Sequence, residues 1–361
     1  MTGKKWFKAF LIILLLLSVL TMSLVAFVDP FFHYRAPRDY FYYRIFEQRS
    51  QNDGITRHFD YDAIITGTSM SENFKTSLFD ELFGTTSIKV PYSGATYKEI
   101  DQNLRVSYES GHKLKYVFRP LDYSLLIKDK DEMRVDMGEY PVWMTNKNPF
   151  DDVKYLLNRD VIINYTIPVL AKFILGNQGG YTSFDEYSYT GDENAFSRDA
   201  VLASIPAFAD PNETYEVSND DLQMVKENIE QNVVSLAREN PDTTFIYFFP
   251  PYSMAYWGAI RTEGNLNKQI ACIREATEQM LECDNIHIYS FVFEEDITSN
   301  LDLYRDIAHY SPDVNDSIME SIYECESKGP SDNDLRITED NFTEFFDRMQ
   351  EYLENYDYNS L

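Results

Sequence analysis

Five short, largely apolar runs constrain this chain more than any other feature. They lie at residues 62–66, 87–90, 115–118, 244–249 and 286–289. Stretches with the 3.6-residue apolar period of a helix alternate with them, at 73–83, 97–110, 220–238, 265–281, 314–325 and 339–352. A short run that is apolar throughout belongs to a strand buried on both faces. Strands of that kind alternating with helices predict a parallel sheet covered on both sides. Ligands of such sheets bind beyond the carboxyl ends of the strands. The turns leaving these strands carry Ser69, Gly94, Arg119, Asp122, Pro250 and Tyr252, so the sheet would gather them along one edge.

The first turn has the most chemistry. YDAIITGTSMSENF (61–74) reads as a strand, a tight small-residue turn, then Ser69 at the mouth of a helix. A hydroxyl there stands beside the free N–H groups of a helix start. Those groups can hold an oxyanion, which suits a nucleophile. The same pattern serves anion-binding loops and plain turns. Ser71, two residues on, reads as a helix cap. A nucleophilic serine needs a base, and the base needs a carboxylate to orient it. YRDIAHYSPDVN (304–315) supplies both, with Asp306 and His309 three residues apart before a helix. Of the five histidines, only His309 has an acidic partner at short spacing in a late turn. The competing reading is a surface histidine beside a capping aspartate.

A serine after the first strand and a late D-x-x-H before the last helix resemble the SGNH (GDSL-like) hydrolases. IITGTSMSENFKTS, IKVPYSGATYKEI and DIAHYSPDVN look like membrane-anchored bacterial members of that group. The resemblance implies a flavodoxin-like three-layer α/β sandwich with a five-stranded parallel sheet and a large insertion. It implies Ser69 as nucleophile and oxyanion donor, His309 as base, Asp306 as its orienter and Gly94 as a second oxyanion donor. It also implies ester hydrolysis or O-acyl transfer on a cell-envelope glycan or related polymer, without cofactor or metal, with a membrane-bound acyl donor protein as a partner. Two departures stand out. Thr68 occupies the place of the usual aspartate, and the G-x-N-D block is replaced by YVFRPLD (116–122). The missing asparagine leaves Asn73 or Arg119 as substitute donors. Asp122, Pro250 and Tyr252 are expected at the pocket rim. The alternative is a non-catalytic SGNH-like envelope protein used for polymer binding or assembly.

The N-terminus carries the second constraint. Lys4, Lys5 and Lys8 precede a twenty-residue run without charge, 9–28. That length spans a bilayer core, and the lysines predict a cytoplasmic N-terminus with the rest outside. An uncleaved signal anchor is expected, since no clean A-x-A site follows the run. The linear organisation is then a basic segment (1–8), the anchor (9–28), an irregular aromatic neck (29–60) and a main domain (61–361). An insertion at 128–216 is expected to cap the strand ends, and its apolar part, 161–175, is too short for a second span. The net charge of −27 disfavours nucleic acid and anionic polymers as partners. The cysteines Cys272, Cys283 and Cys325 form no disulfide framework, although Cys325 could pair with either of the others. With 27 tyrosines and 25 phenylalanines, many rings must lie in the core.

Overall fold

The computed structural model describes residues 3–136, 141–146, 148–188, 196–329 and 335–361. The chain divides into two compact units. One comprises residues 60–134 and 188–361, the other residues 1–59 and 135–187. The expected insertion at 128–216 is thus divided: residues 135–187 group with the anchor and neck, and the remainder groups with the larger unit.

The larger unit is mixed α/β. Its sheet contains β1 (Ala63–Gly67), β2 (Ser87–Pro91), β3 (Tyr116–Pro120), β4 (Thr244–Phe249), β5 (Ile286–Ser290) and β6 (Arg336–Ile337). The order is β2-β1-β3-β4-β5-β6. The first five strands are parallel, and β6 pairs antiparallel with β5. The expected five-stranded sheet thus gains a sixth strand. At two residues it is too short to leave a periodic signal, and a short edge strand offers little backbone to another chain. All of β1 and β2 is buried, as parallel strands require. The order reverses between β1 and β3, where open α/β sheets form their binding crevice.

Local chemistry sets the helix ends. Helix α2 (Thr76–Phe83) stops at Gly84, which takes a left-handed conformation and returns its N–H to the Asp80 carbonyl at 3.0 Å. Helix α3 (Tyr97–Glu109) opens on a capping box of Thr96 and Glu99. Helix α4 (Pro312–Lys328) starts with proline in its first turn, where no N–H is missed. The core is aromatic: Phe118 lies 5.1 Å from Phe74 and 4.9 Å from Phe248 between ring centroids. All three cysteines are buried free thiols.

The smaller unit holds the apolar N-terminal helix α1, Gly3–Val28, 26 residues long. At 1.5 Å per residue it measures about 39 Å, enough to cross a bilayer core. Its apolar side chains from Trp6 to Leu20 are mostly exposed, whereas Val25 packs with Phe31, Met144, Tyr155 and Val161. Asp29 ends the helix at φ +52°, and its carboxylate accepts the N–H groups of His33, Tyr34 and Arg35 at 3.0, 2.8 and 3.1 Å. Arg35 and Arg38 donate to the Ala26 and Phe27 carbonyls at 2.6 and 3.1 Å, covering the free helix end with positive charge. The neck is more regular than its sequence suggested. It contains a helix, Gln48–His58, and a short strand, Tyr42–Tyr43, paired with Gly180–Tyr181. Phe31, Phe32, Phe41 and Tyr43 are buried within it. The full-length protein is expected to sediment with membranes and resist extraction by alkaline carbonate. Release into the carbonate supernatant would show that this helix does not cross the bilayer.

Candidate active site

The site begins where β1 ends. Gly67 has φ +151°, and a Cβ there would meet Pro120 Cγ at 3.0 Å and Ser71 Cβ at 3.2 Å, so glycine permits the tight exit from the strand. The chain then enters a single 3₁₀ turn, Ser69–Ser71, and the α-helix expected to run from residue 73 starts only at Thr76. Thr68 caps that turn by accepting the Met70 N–H at 3.3 Å. Ser71 is buried and donates to the Thr68 carbonyl at 2.7 Å, so it braces the turn from inside. The Ser69 N–H has no hydrogen-bond partner among the described residues.

Ser69 and His309, 240 positions apart, meet at this edge. Ser69 Oγ lies 2.8 Å from His309 Nε2. His309 Nδ1 lies 2.8 Å from Asp306 Oδ2. The other Asp306 oxygen accepts the N–H groups of Ala308 and His309, both at 2.8 Å, which locks the carboxylate to the loop that carries the imidazole. The Asp306 hydrogen bond raises the His309 pKa above its ordinary value, outweighing burial, and the charges of Asp306 and Asp122 add to the rise. Burial works to raise the Asp306 carboxyl. The His309 contact and the two N–H bonds overcome it, and the net shift is downward.

These three residues line a cavity of about 420 Å³ together with Met70, Glu72, Asn73, Ser93, Phe196, Arg305, Tyr310 and Asn315. Several expected positions lie elsewhere. Arg119 is fully buried, donates to the Asn232 carbonyl at 3.0 Å and stacks on Tyr97 at 4.7 Å, so it is a core cation and not a rim donor. Gly94 is exposed in a turn closed by the Ala95 N–H on the Tyr92 carbonyl, with φ +63°, while its neighbour Ser93 faces the cavity. Ser93 donates to the Glu72 carboxylate. Asp122, Pro250 and Tyr252 are buried behind the site instead of at its rim. Of the insertion, Phe196 reaches the cavity within the larger unit, and residues 137–140, 147 and 189–195 lie outside the described residues.

Asp122 acts as the brace beneath the nucleophile turn. It accepts the Thr68 hydroxyl at 2.8 Å and the Tyr252 hydroxyl at 2.6 Å, tying together the ends of β1, β3 and β4. Burial raises its pKa, and those two bonds oppose the rise. Tyr252→Phe leaves the carboxyl with one side-chain partner fewer. The expected cost is about 1.5–3 kcal/mol, read as a lower urea midpoint of the detergent-solubilised protein. An unchanged midpoint would mean that Asp122 finds water in place of Tyr252.

Glu72, Ser93, Arg305, Tyr310 and Asn315 carried no assigned role in the sequence. Four adjoin residues that did: Glu72 next to Asn73, Ser93 to Gly94, and Arg305 and Tyr310 to the Asp306–His309 pair. Phe196 had no local signal at all. No protein-family model matches this chain, and no curated protein matches it.

Proposed function

We propose that the chain is a membrane-anchored, SGNH-like serine esterase or O-acyltransferase. The larger unit is read as a flavodoxin-like three-layer sandwich, from its β2-β1-β3-β4-β5 order of parallel strands. The observation that carries the chemistry is the unbroken Ser69–His309–Asp306 relay, 2.8 Å at each step, on the wall of a cavity. In this reading Ser69 Oγ attacks an acyl carbonyl as its proton passes to His309 Nε2. Asp306 holds the imidazolium that forms. The Ser69 N–H and the Asn73 side chain are the proposed donors to the oxyanion; the Gly94 N–H, expected as a second backbone donor, is set aside because Gly94 does not line the cavity. The ester C–O bond then breaks, and His309 returns the proton to the leaving alcohol. Water or an acceptor hydroxyl attacks the acyl-serine, His309 takes its proton, and Ser69 recovers it.

The substrate proposed is an acylated cell-envelope glycan or related polymer, with a membrane-bound acyl donor protein if the reaction is transfer. The lysine-flanked apolar helix supports a cytoplasmic N-terminus with the larger unit on the outer side. A second reading, a non-catalytic binding or assembly protein, is favoured by Arg119 being turned into the core, which leaves one candidate side-chain donor fewer at the oxyanion. A fluorophosphonate probe separates the two. Covalent labelling of the wild type and none of Ser69→Ala is the expected result. A folded wild type that takes no label would leave the binding reading.

A further inference from the structure

Asn315 sits where an apolar side chain belongs. The buried stripe of α4 is Val314, Asn315, Ile318, Met319, Ile322 and Cys325. Asn315 is 1% exposed, lines the cavity, and neither its amide nitrogen nor its amide oxygen has a hydrogen-bond partner among the described residues. The hydroxyl of Tyr310, which lines the same cavity and is 3% exposed, is likewise unpartnered. A buried amide with both ends unpaired is costly, and native proteins rarely keep one without a use. A site built to hydrogen-bond a ligand presents polar groups in this way, because a ligand lacking the matching groups leaves them unpaired and is rejected.

The position of the pair indicates which half of a substrate it meets. The proposed oxyanion donors, Ser69 and Asn73, both belong to the segment that follows β1. The alcohol half of an ester must lie on the opposite side, within reach of His309 Nε2, which protonates it. Tyr310 and Asn315 follow His309 on the same segment. An amide donates and accepts at once, and a hydroxyl does the same, so the natural complement is a vicinal set of hydroxyls. We propose that Asn315 and Tyr310 form a subsite for the polyhydroxylated alcohol half of the substrate, a sugar that carries the acyl group, and select it over simple alcohols.

The proposal rests on Ser69 being the nucleophile, and the test separates the two ideas. Hydrolysis of methyl 6-O-acetyl-glucopyranoside and of 4-nitrophenyl acetate is compared in the full-length protein. Asn315→Leu is expected to lower the ratio of kcat/KM for the glucoside to that for the aryl ester at least tenfold, and Tyr310→Phe by a few fold. A ratio that stays constant, whether both activities fall or neither does, overturns the subsite while leaving the triad in place. Should the leucine variant not fold, Asn315→Gln, which shifts both polar atoms by one methylene, is held to the same ratio. Binding is read independently by saturation-transfer NMR of the glucoside. Ser69→Ala is expected to bind it and Ser69→Ala with Asn315→Leu to lose it. If neither ester is turned over but this binding pattern appears, the catalytic reading falls and the subsite stands. Absence of binding to Ser69→Ala, or equal binding to both variants, overturns the subsite.

Discussion

Replacing His309 with alanine is expected to lower kcat on a small acyl ester by about 10⁴–10⁶-fold. The imidazole is the group placed to take the Ser69 proton, at 2.8 Å, and the cavity lining includes no other histidine. Ser69→Ala should cost a similar factor, and the double variant little more than either alone, because a relay fails as a unit. Stability should change little, since the His309 side chain is 38% exposed. The measurement is steady-state turnover of the three variants beside their thermal unfolding. A fall of less than tenfold in His309→Ala would remove the imidazole from the mechanism.

The second large effect is on pH dependence. Asp306 raises the pKa of His309 above the ordinary histidine value of about 6.5. The base must be neutral to accept the Ser69 proton. Activity is therefore lost as pH falls through that raised value, and the acid limb of kcat/KM should have its midpoint above about 6.5. In Asp306→Asn the imidazolium loses its charged acceptor. Its pKa falls, so the limb moves to lower pH, while the plateau drops by about 10³–10⁴-fold as the ring loses its orientation. Asp122→Asn should move the limb the same way by less, because Asp122 acts on His309 through its charge alone. Stability has the opposite sign. A raised histidine pKa favours the folded state below the unfolded value, and that contribution is lost as pH rises through the folded one. Activity thus depends on the protonation state in which the ion pair stabilises the fold least. An acid limb that does not move in Asp306→Asn would assign it to another group.

The strands were legible because parallel strands are apolar on both faces, which leaves a mark in a handful of consecutive residues. The 244–249 run coincides with β4, and the other four lie within two residues of their strands. The helices were legible from their apolar period, while the caps that set their ends, Thr96 with Glu99 and Pro312, were found in the structure; α4 starts two residues before the expected 314. The 3₁₀ turn at Ser69 was not legible. It follows a strand exit at Gly67 where Pro120 leaves no room for a side chain, a constraint between β1 and β3 that has no local signature.

The same division runs through the site. Asp306 and His309 belong to one loop, so their spacing alone predicts their contact. Ser69 and His309 could be named from the sequence as residue types in suitable turns, but their 2.8 Å approach depends on the strand order, which places β1 inside the sheet between β2 and β3. Arg119 shows the limit most clearly. A charged residue at a strand end reads as a solvent-facing donor, and only the packing of Tyr97, Tyr247 and Asn232 around it makes a buried cation tolerable. Asn315 is the converse case, a polar residue whose burial follows from the face of α4 it occupies. By itself the sequence determined what is periodic or local: the apolar N-terminal helix, the alternation of strands and helices and the Asp306–His309 pair. The tertiary structure alone decided which distant residues share the cavity, because strand order and the direction of each buried side chain depend on contacts between segments far apart in the chain.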